Sequence, residues 1–242
     1  MCTVTYVPAR DKAFVTSNRD EHISRRAQLR PSVDIIKGKK VTYPKDTGAG
    51  GSWFAMNDSG LVAVLLNGAF SNHDRRPPYA KSRGLVVLDI VSNEQPLVYL
   101  EEMDLTNIEP FTLVLFDQIK LVEFRWDGQQ KHIKPLDTSK AYIWSSFTLY
   151  DQEAQEVRNS YFQDFKTSGV DFNADSILRF HKENHGDFEN GFVVDRKNGL
   201  KTLSITQVEC NEDGLSMGHL DLDSNQTESI YLPLAPKVIA QS

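Results

Sequence analysis

The stretch from Cys2 to Glu21 constrains this chain more than any other. Cys2-Thr3-Val4-Thr5-Tyr6-Val7 is a short alternating segment, and Pro8-Ala9-Arg10-Asp11-Lys12 follows with the composition of a turn. A second segment, Ala13 to Ser17, delivers the polar cluster Asn18-Arg19-Asp20-Glu21. Read as a hairpin, these segments bring the end of the second strand back beside the start of the first. Arg19 and Asp20 are therefore expected to flank Cys2.

That placement has a chemical consequence. If Met1 is removed, Cys2 carries both a thiol and a free α-amine, with ordinary pKa values of about 8.5 and about 7.7–8.0. Moving the thiol proton to the amine then costs roughly 1 kcal/mol, so a nucleophile and its base share one residue. Taken alone, Cys2 reads as a small apolar residue tucked into a sheet; the polar cluster moves the balance toward chemistry. Arg19 and Asp20 have a plainer reading as well, a salt bridge that locks the hairpin. In the functional reading Arg19 holds the thiolate or the substrate carbonyl side, and Asp20 orients the Cys2 amine.

The N-terminal Met-Cys and Asn18-Arg19-Asp20-Glu21 resemble the NRDE family, also called the transport and Golgi organisation proteins. Gly50-Gly51-Ser52-Trp53-Phe54-Ala55-Met56-Asn57, the strand from Gly60 to Asn67, and Trp144-Ser145-Ser146-Phe147-Thr148-Leu149 extend the similarity. The resemblance implies an N-terminal-nucleophile hydrolase: an α+β, four-layer αββα sandwich of two antiparallel sheets, one domain over residues 1–242. It implies hydrolysis of a non-peptide C–N amide in a small molecule, with no cofactor and no metal. Asn67 matches an asparagine that helps form the oxyanion hole in choloylglycine-hydrolase-type enzymes. Ser145 stands where those enzymes carry a second asparagine, and Asn18, inside the motif, is a further secondary candidate. Those enzymes space their Arg and Asp three residues apart, whereas Arg19 and Asp20 are adjacent. A second reading keeps the scaffold without catalysis, as a small-molecule (haem-like) binding or trafficking protein, because eukaryotic members are associated with Golgi organisation and haem mobilisation. No Cys-Pro or Cys-x-x-Cys-His motif supports haem attachment.

Bulk properties narrow the partners. With 242 residues, one domain is the default. A net charge of −6 argues against nucleic acid or an anionic membrane as partner. Arg25-Arg26 with Arg30 is a local exception that reads as a solvated face or an ion-pair network. Two cysteines, Cys2 and Cys210, fit a reducing compartment. Arg10, Asp11 and Lys12 interrupt any signal-peptide core, and no apolar run is long enough to span a membrane. A cytoplasmic protein is expected.

The rest of the chain reads as alternating elements. Val33–Ile36 and Lys40–Tyr43 form one strand pair; Ser52–Met56 and Leu61–Leu66 form the clearest hairpin, its second strand continuously apolar. The Gly-rich loop Asp46 to Gly51 lacks the Lys-Ser of a phosphate loop, which leaves a flexible turn or a close backbone approach. Helices are expected at Ser82–Val91, Pro96–Met103, Asp151–Thr167 and Ala174–Asn184. Strands at Phe111–Phe116, Lys120–Trp126 and Lys131–Lys134 form a meander expected to be the second sheet. Further strands fall at Ala141–Trp144, Phe192–Val194, Thr202–Val208, Ser216–Leu222 and Ile230–Leu232. His181 and His185, four apart, have a metal-ligand spacing if one helix carries both, although a solvated helix end explains them more simply.

Overall fold

A computed structural model describes residues 3–235. β1 (Thr3–Ala9) and β2 (Lys12–His22) form the expected hairpin, with Ala9 opposite Lys12 and Arg10 at φ 50° in the connection. The pairing runs longer than its sequence suggests. Pro8 and Ala9 still lie in β1, and Asn18–Glu21 is strand rather than the loop after one. Pro8 is tolerated because β10 (Tyr142–Ser145), on the other side of β1, reaches only from Thr3 to Tyr6. Past the start of β1, the end of β2 is held by β11 (Leu200–Cys210), which sets Thr202 opposite Asp20 and shifts register between Thr202 and Ser204.

β12 (Gly214–Asp221) and β13 (Gln226–Pro233) complete a six-stranded antiparallel sheet in the order β10-β1-β2-β11-β12-β13. The second sheet has seven strands: β3 (Ser32–Ile36), β4 (Lys39–Tyr43), β5 (Phe54–Asn57), β6 (Val62–Asn67), β7 (Phe111–Phe116), β8 (Leu121–Trp126) and β9 (Lys131–Leu136), in chain order. The β7–β9 meander therefore extends the sheet begun by β3–β6, contrary to its expected role as a separate one. The reason is the β6–β7 ladder, which runs unbroken from Val62↔Phe116 to Asn67↔Phe111. No strand forms at Phe192–Val194; Phe192 is buried among the aromatic rings of Tyr161 and Phe180 instead of in a ladder.

Alternation along β1 and β2 divides the core in two. Val4, Tyr6 and Val15 point toward the other sheet and join Phe54, Met56 and Val64 in the main cluster. Val7 and Phe14 point the opposite way, against Phe162 of α3 (Gln152–Thr167) and Ile177 and Phe180 of α4 (Ala174–Lys182). On the far side, α1 (Arg83–Val91) packs Val87 and Ile90 against β5 and β6, with α2 (Pro96–Glu102) beside it. The layers are thus helix, sheet, sheet, helix. β6 is buried throughout Val62–Leu66, the outcome its unbroken apolar run requires. Asp151 and Asn173 cap α3 and α4, accepting the amides of Ala154 and Ser176. Among the described residues no helix is long and apolar enough to cross a membrane.

The Gly-rich loop resolves as a close approach. A Cβ on Gly51 would lie 2.4 Å from the carbonyl carbon of Gly84, at the start of α1, and Gly50 holds φ +70°. The Ser52 amide then donates to the Gly84 carbonyl at 3.2 Å.

α4 is also tied to the hairpin by a buried histidine. His181 Nε2 lies 2.7 Å from Thr5 Oγ1, and its Nδ1 meets Asn18 Oδ1. Burial, reinforced by the Arg158 charge, pushes its pKa down to about 3. The unfolded chain therefore binds the proton that the folded chain refuses, so stability falls as pH drops below the ordinary histidine value of about 6.5. We expect His181 to contribute a slope of up to about 1.4 kcal/mol per pH unit between pH 6.5 and 5. Urea denaturation across that range should show the slope reduced by this amount in His181→Gln.

Candidate active site

Adjacent strand residues face opposite ways, and this decides how Arg19 and Asp20 act. Arg19 enters the space between the sheets, 1% exposed, with its guanidinium 4.4 Å over the Trp53 ring. Its Nη1 donates to the Arg25 carbonyl at 2.5 Å, and its Nη2 donates to Asp46 Oδ2 at 3.1 Å. Burial lowers its pKa. Asp20 faces the helical layer instead, where the Tyr150 hydroxyl donates to Oδ2 and the Thr202 hydroxyl to Oδ1, each at 2.6 Å. The locking salt bridge within the pair does not form; the partner of Arg19 is Asp46 from the Gly-rich loop.

Asp46 is held on all sides. Oδ1 accepts the Gly48 and Ala49 amides at 2.9 and 3.0 Å, and Oδ2 accepts Arg25 at 2.7 Å besides Arg19. Burial pulls its pKa up, but the Ala49 amide and the Arg25 and Arg19 charges outweigh it and hold the carboxyl below its ordinary value. Arg25 is paired further with Glu21, and Arg26 with Asp223, so these two arginines of the cluster are held in ion pairs.

Asn67 ends β6, and its carbonyl accepts the Ser146 hydroxyl at 2.9 Å. Its side-chain Oδ1 is buried with no hydrogen bond among the described residues. Asn67, Arg19 and Trp53 line one cleft of about 350 Å³, together with Asp46, Gly51, Ser82, Arg83 and Gly84. The fold therefore brings Arg19 and Asn67 together. Ser145 lies elsewhere: it opposes Thr3 on the sheet, 3.5 Å from Arg158 Nη1, and borders a different cavity with Glu123 and Arg125. Asn18 is committed to structure, its Nδ2 donating to the carbonyls of His181 and Phe192 at 2.9 and 2.7 Å. Cys2 lies outside the described residues, one peptide bond before Thr3.

Sequence reasoning missed Asp46, Trp53 and above all Arg158. This arginine is fully buried; it donates to Thr3 Oγ1 and to the Asn190 and Gly191 carbonyls, with its guanidinium 3.5 Å over the Tyr150 ring. Its signal was its place between Ala154 and Phe162 on the apolar face of α3, where a charge requires buried partners. The histidine pair does not share a helical face, because α4 stops at Lys182. His185 stacks on Tyr161 at 3.8 Å, and no cluster of metal-binding side chains occurs among the described residues. Cys210 is buried in the inter-sheet core, where desolvation pushes its thiol pKa up.

The fold and family have known counterparts. Residues 1–186 match the family model described as Transport and Golgi organisation 2. No curated protein matches the chain in sequence. A cysteine-to-alanine mutant of conjugated bile acid hydrolase from Clostridium perfringens superposes with a TM-score of 0.62 at 10% identity, covering 96% of this chain and 92% of that one. An arginine-to-leucine variant of the same enzyme gives 0.61 at 11% identity, over 95% and 92%. The Caenorhabditis elegans ortholog of N-acylethanolamine-hydrolyzing acid amidase gives 0.58 at 12% identity, over 85% and 92%. The architecture is that of the N-terminal-nucleophile hydrolases; at these identities the likeness concerns the fold alone.

Replacing Asp46 with Asn would take from buried Arg19 its ion-pair partner, at a cost of about 3 kcal/mol. Because the Asp46 pKa is lowered on folding, its contribution is complete above the ordinary carboxylate value near 3.9 and fades as pH falls below it. Denaturant melts of Asp46→Asn and the parent should differ by that amount at pH 7 and by less at pH 3.

Proposed function

The chain belongs to the Transport and Golgi organisation 2 family, and we propose that it is a cysteine amidohydrolase whose nucleophile is Cys2 after removal of Met1. The observation that carries this reading is the meeting of Arg19 and Asn67 in one cleft beside the start of β1. Thr3 opposes Asn18, so Arg19 and Asp20 continue β2 past the first described residue of β1. Val4, next to Thr3, faces the space between the sheets.

In the proposed reaction the Cys2 amine accepts the thiol proton, and the thiolate attacks the carbonyl carbon of a non-peptide amide. Asn67 and a backbone N–H stabilise the resulting oxyanion, a contribution of about 3–4 kcal/mol per donor. The ammonium returns its proton to the nitrogen as the C–N bond breaks, leaving an acyl thioester on Cys2 and a free amine. Water then attacks the thioester, with the amine again taking a proton, and releases the acid. Asp20, fixed by Tyr150 and Thr202, is an oriented acceptor for the ammonium. Arg158 steadies Thr3, and with it the main chain that carries the nucleophile.

Cys2→Ala is expected to abolish turnover of an amide panel and labelling by a thiol-reactive probe, with the melting temperature nearly unchanged. Asn67→Ala should lower kcat by about a hundredfold or more with little change in KM. Intact-mass measurement of the active protein should find Met1 gone; active protein that retains it would overturn the mechanism and favour the binding-and-trafficking reading.

A further inference from the structure

The cleft holds donors that no group among the described residues satisfies. Trp53 is 2% exposed, yet its Nε1–H has no hydrogen-bond partner among the described residues. Ser82 is the N-cap of α1, where a serine ordinarily accepts an amide of the first turn. Here its hydroxyl caps nothing, and Oγ is buried without a partner. Both residues border the same cleft as Asn67. At the N-terminus of α1 the Leu85 and Val86 amides donate to the Ser82 carbonyl at 3.0 and 3.3 Å, which leaves the Arg83 and Gly84 amides, at the positive end of the helix dipole, with no intrahelical acceptor.

Charge around these donors is positive in an otherwise acidic protein. Arg19, Arg25, Arg75 and Arg83 line the cleft, against the carboxylates Glu21 and Asp46. Asp46 is saturated by two arginines and two backbone amides. Glu109, just behind, meets Arg83 Nη2 at 3.2 Å, Arg75 Nε at 3.4 Å and His73 Nε2 at 3.3 Å. Arg83 also donates to the Pro110 carbonyl at 3.1 Å, which anchors its side chain at the cleft wall. An indole N–H, a hydroxyl, a helix N-terminus and an anchored guanidinium thus share one wall, and all can donate to acceptor oxygens. A neutral amide would satisfy few of them; a carboxylate, phosphate or sulfonate offers several acceptor oxygens at once.

We propose that the wall formed by Trp53, Ser82, Arg83 and the N-terminus of α1 is a receptor for an oxyanion group on the substrate, so that the cleft selects amides carrying a carboxylate, phosphate or sulfonate. This assignment of substrate class rests on the amidohydrolase reading. It can be tested by binding alone, in Cys2→Ala protein that cannot turn a substrate over.

The probes are two matched pairs, read by calorimetry. N-octanoylglycine and N-octanoylglycinamide differ by one charge on the amine side; N-hexylglutaramic acid and its primary amide differ by one on the acyl side. The charged member of at least one pair is expected to bind about tenfold more tightly or better, the worth of a charge-assisted hydrogen bond. Which pair shows it tells which side of the scissile bond the wall reads. Adding Arg83→Gln should erase the preference for the charged member. Should that variant fail to fold, Ser82→Ala and Trp53→Phe, which remove the donors, should each reduce the preference severalfold. Equal binding within both pairs, or a preference untouched by these variants, would overturn the receptor. Hydrolysis by the Cys2 protein is scored separately, so a bound but unhydrolysed anionic amide would fault the amidohydrolase reading and leave the receptor standing.

Discussion

A positive charge buried between two sheets is the constraint around which this structure is arranged. The Arg19 guanidinium has left water almost completely, a state that is tolerable only with counter-charge and hydrogen bonds in place. Asp46, the Arg25 carbonyl and the Trp53 ring supply them. Each comes from a segment that must be brought to Arg19 by folding. The Gly-rich loop exists to deliver Asp46, and it fits only because Gly51 lets its backbone lie against Gly84 at the start of α1. One ion pair therefore couples the N-terminal hairpin, the loop and the first helix into the wall of a single cleft.

The pleat of β2 extends this coupling to the opposite side of the sheet. Asn18 and Asp20 sit either side of Arg19 and face the helices, where Asn18 binds His181 and Phe192 and Asp20 binds Tyr150 and Thr202. Arg158 joins the same layer by holding Thr3 and the Asn190–Gly191 carbonyls. The start of β1 is thus clamped by polar groups from the helical layer, while Val4 on its inner face packs into the core between the sheets. The three consecutive polar residues of the motif divide the work by parity: two secure the strand against the helices and the one between them enters the cleft.

The N-terminal hairpin, the β5–β6 hairpin with its fully buried second strand, and the capped helices α3 and α4 were all legible in the sequence. Each rests on contacts between residues close in the chain, which period, turn chemistry and capping residues encode directly. Arg19 could be named as a candidate from the motif, and Asn67 from its resemblance to an oxyanion-hole asparagine. Only the tertiary structure decided that Arg19 pairs with Asp46 rather than Asp20, that β7–β9 extend the sheet begun by β3–β6, and that Ser145 lies apart from the cleft. It alone revealed Arg158, Trp53 and Ser82 as site neighbours. Those facts depend on ladders such as β2–β11 and on ion pairs between distant loops, where the partner is chosen by the geometry of the packed layers and leaves no mark on the local pattern of residues.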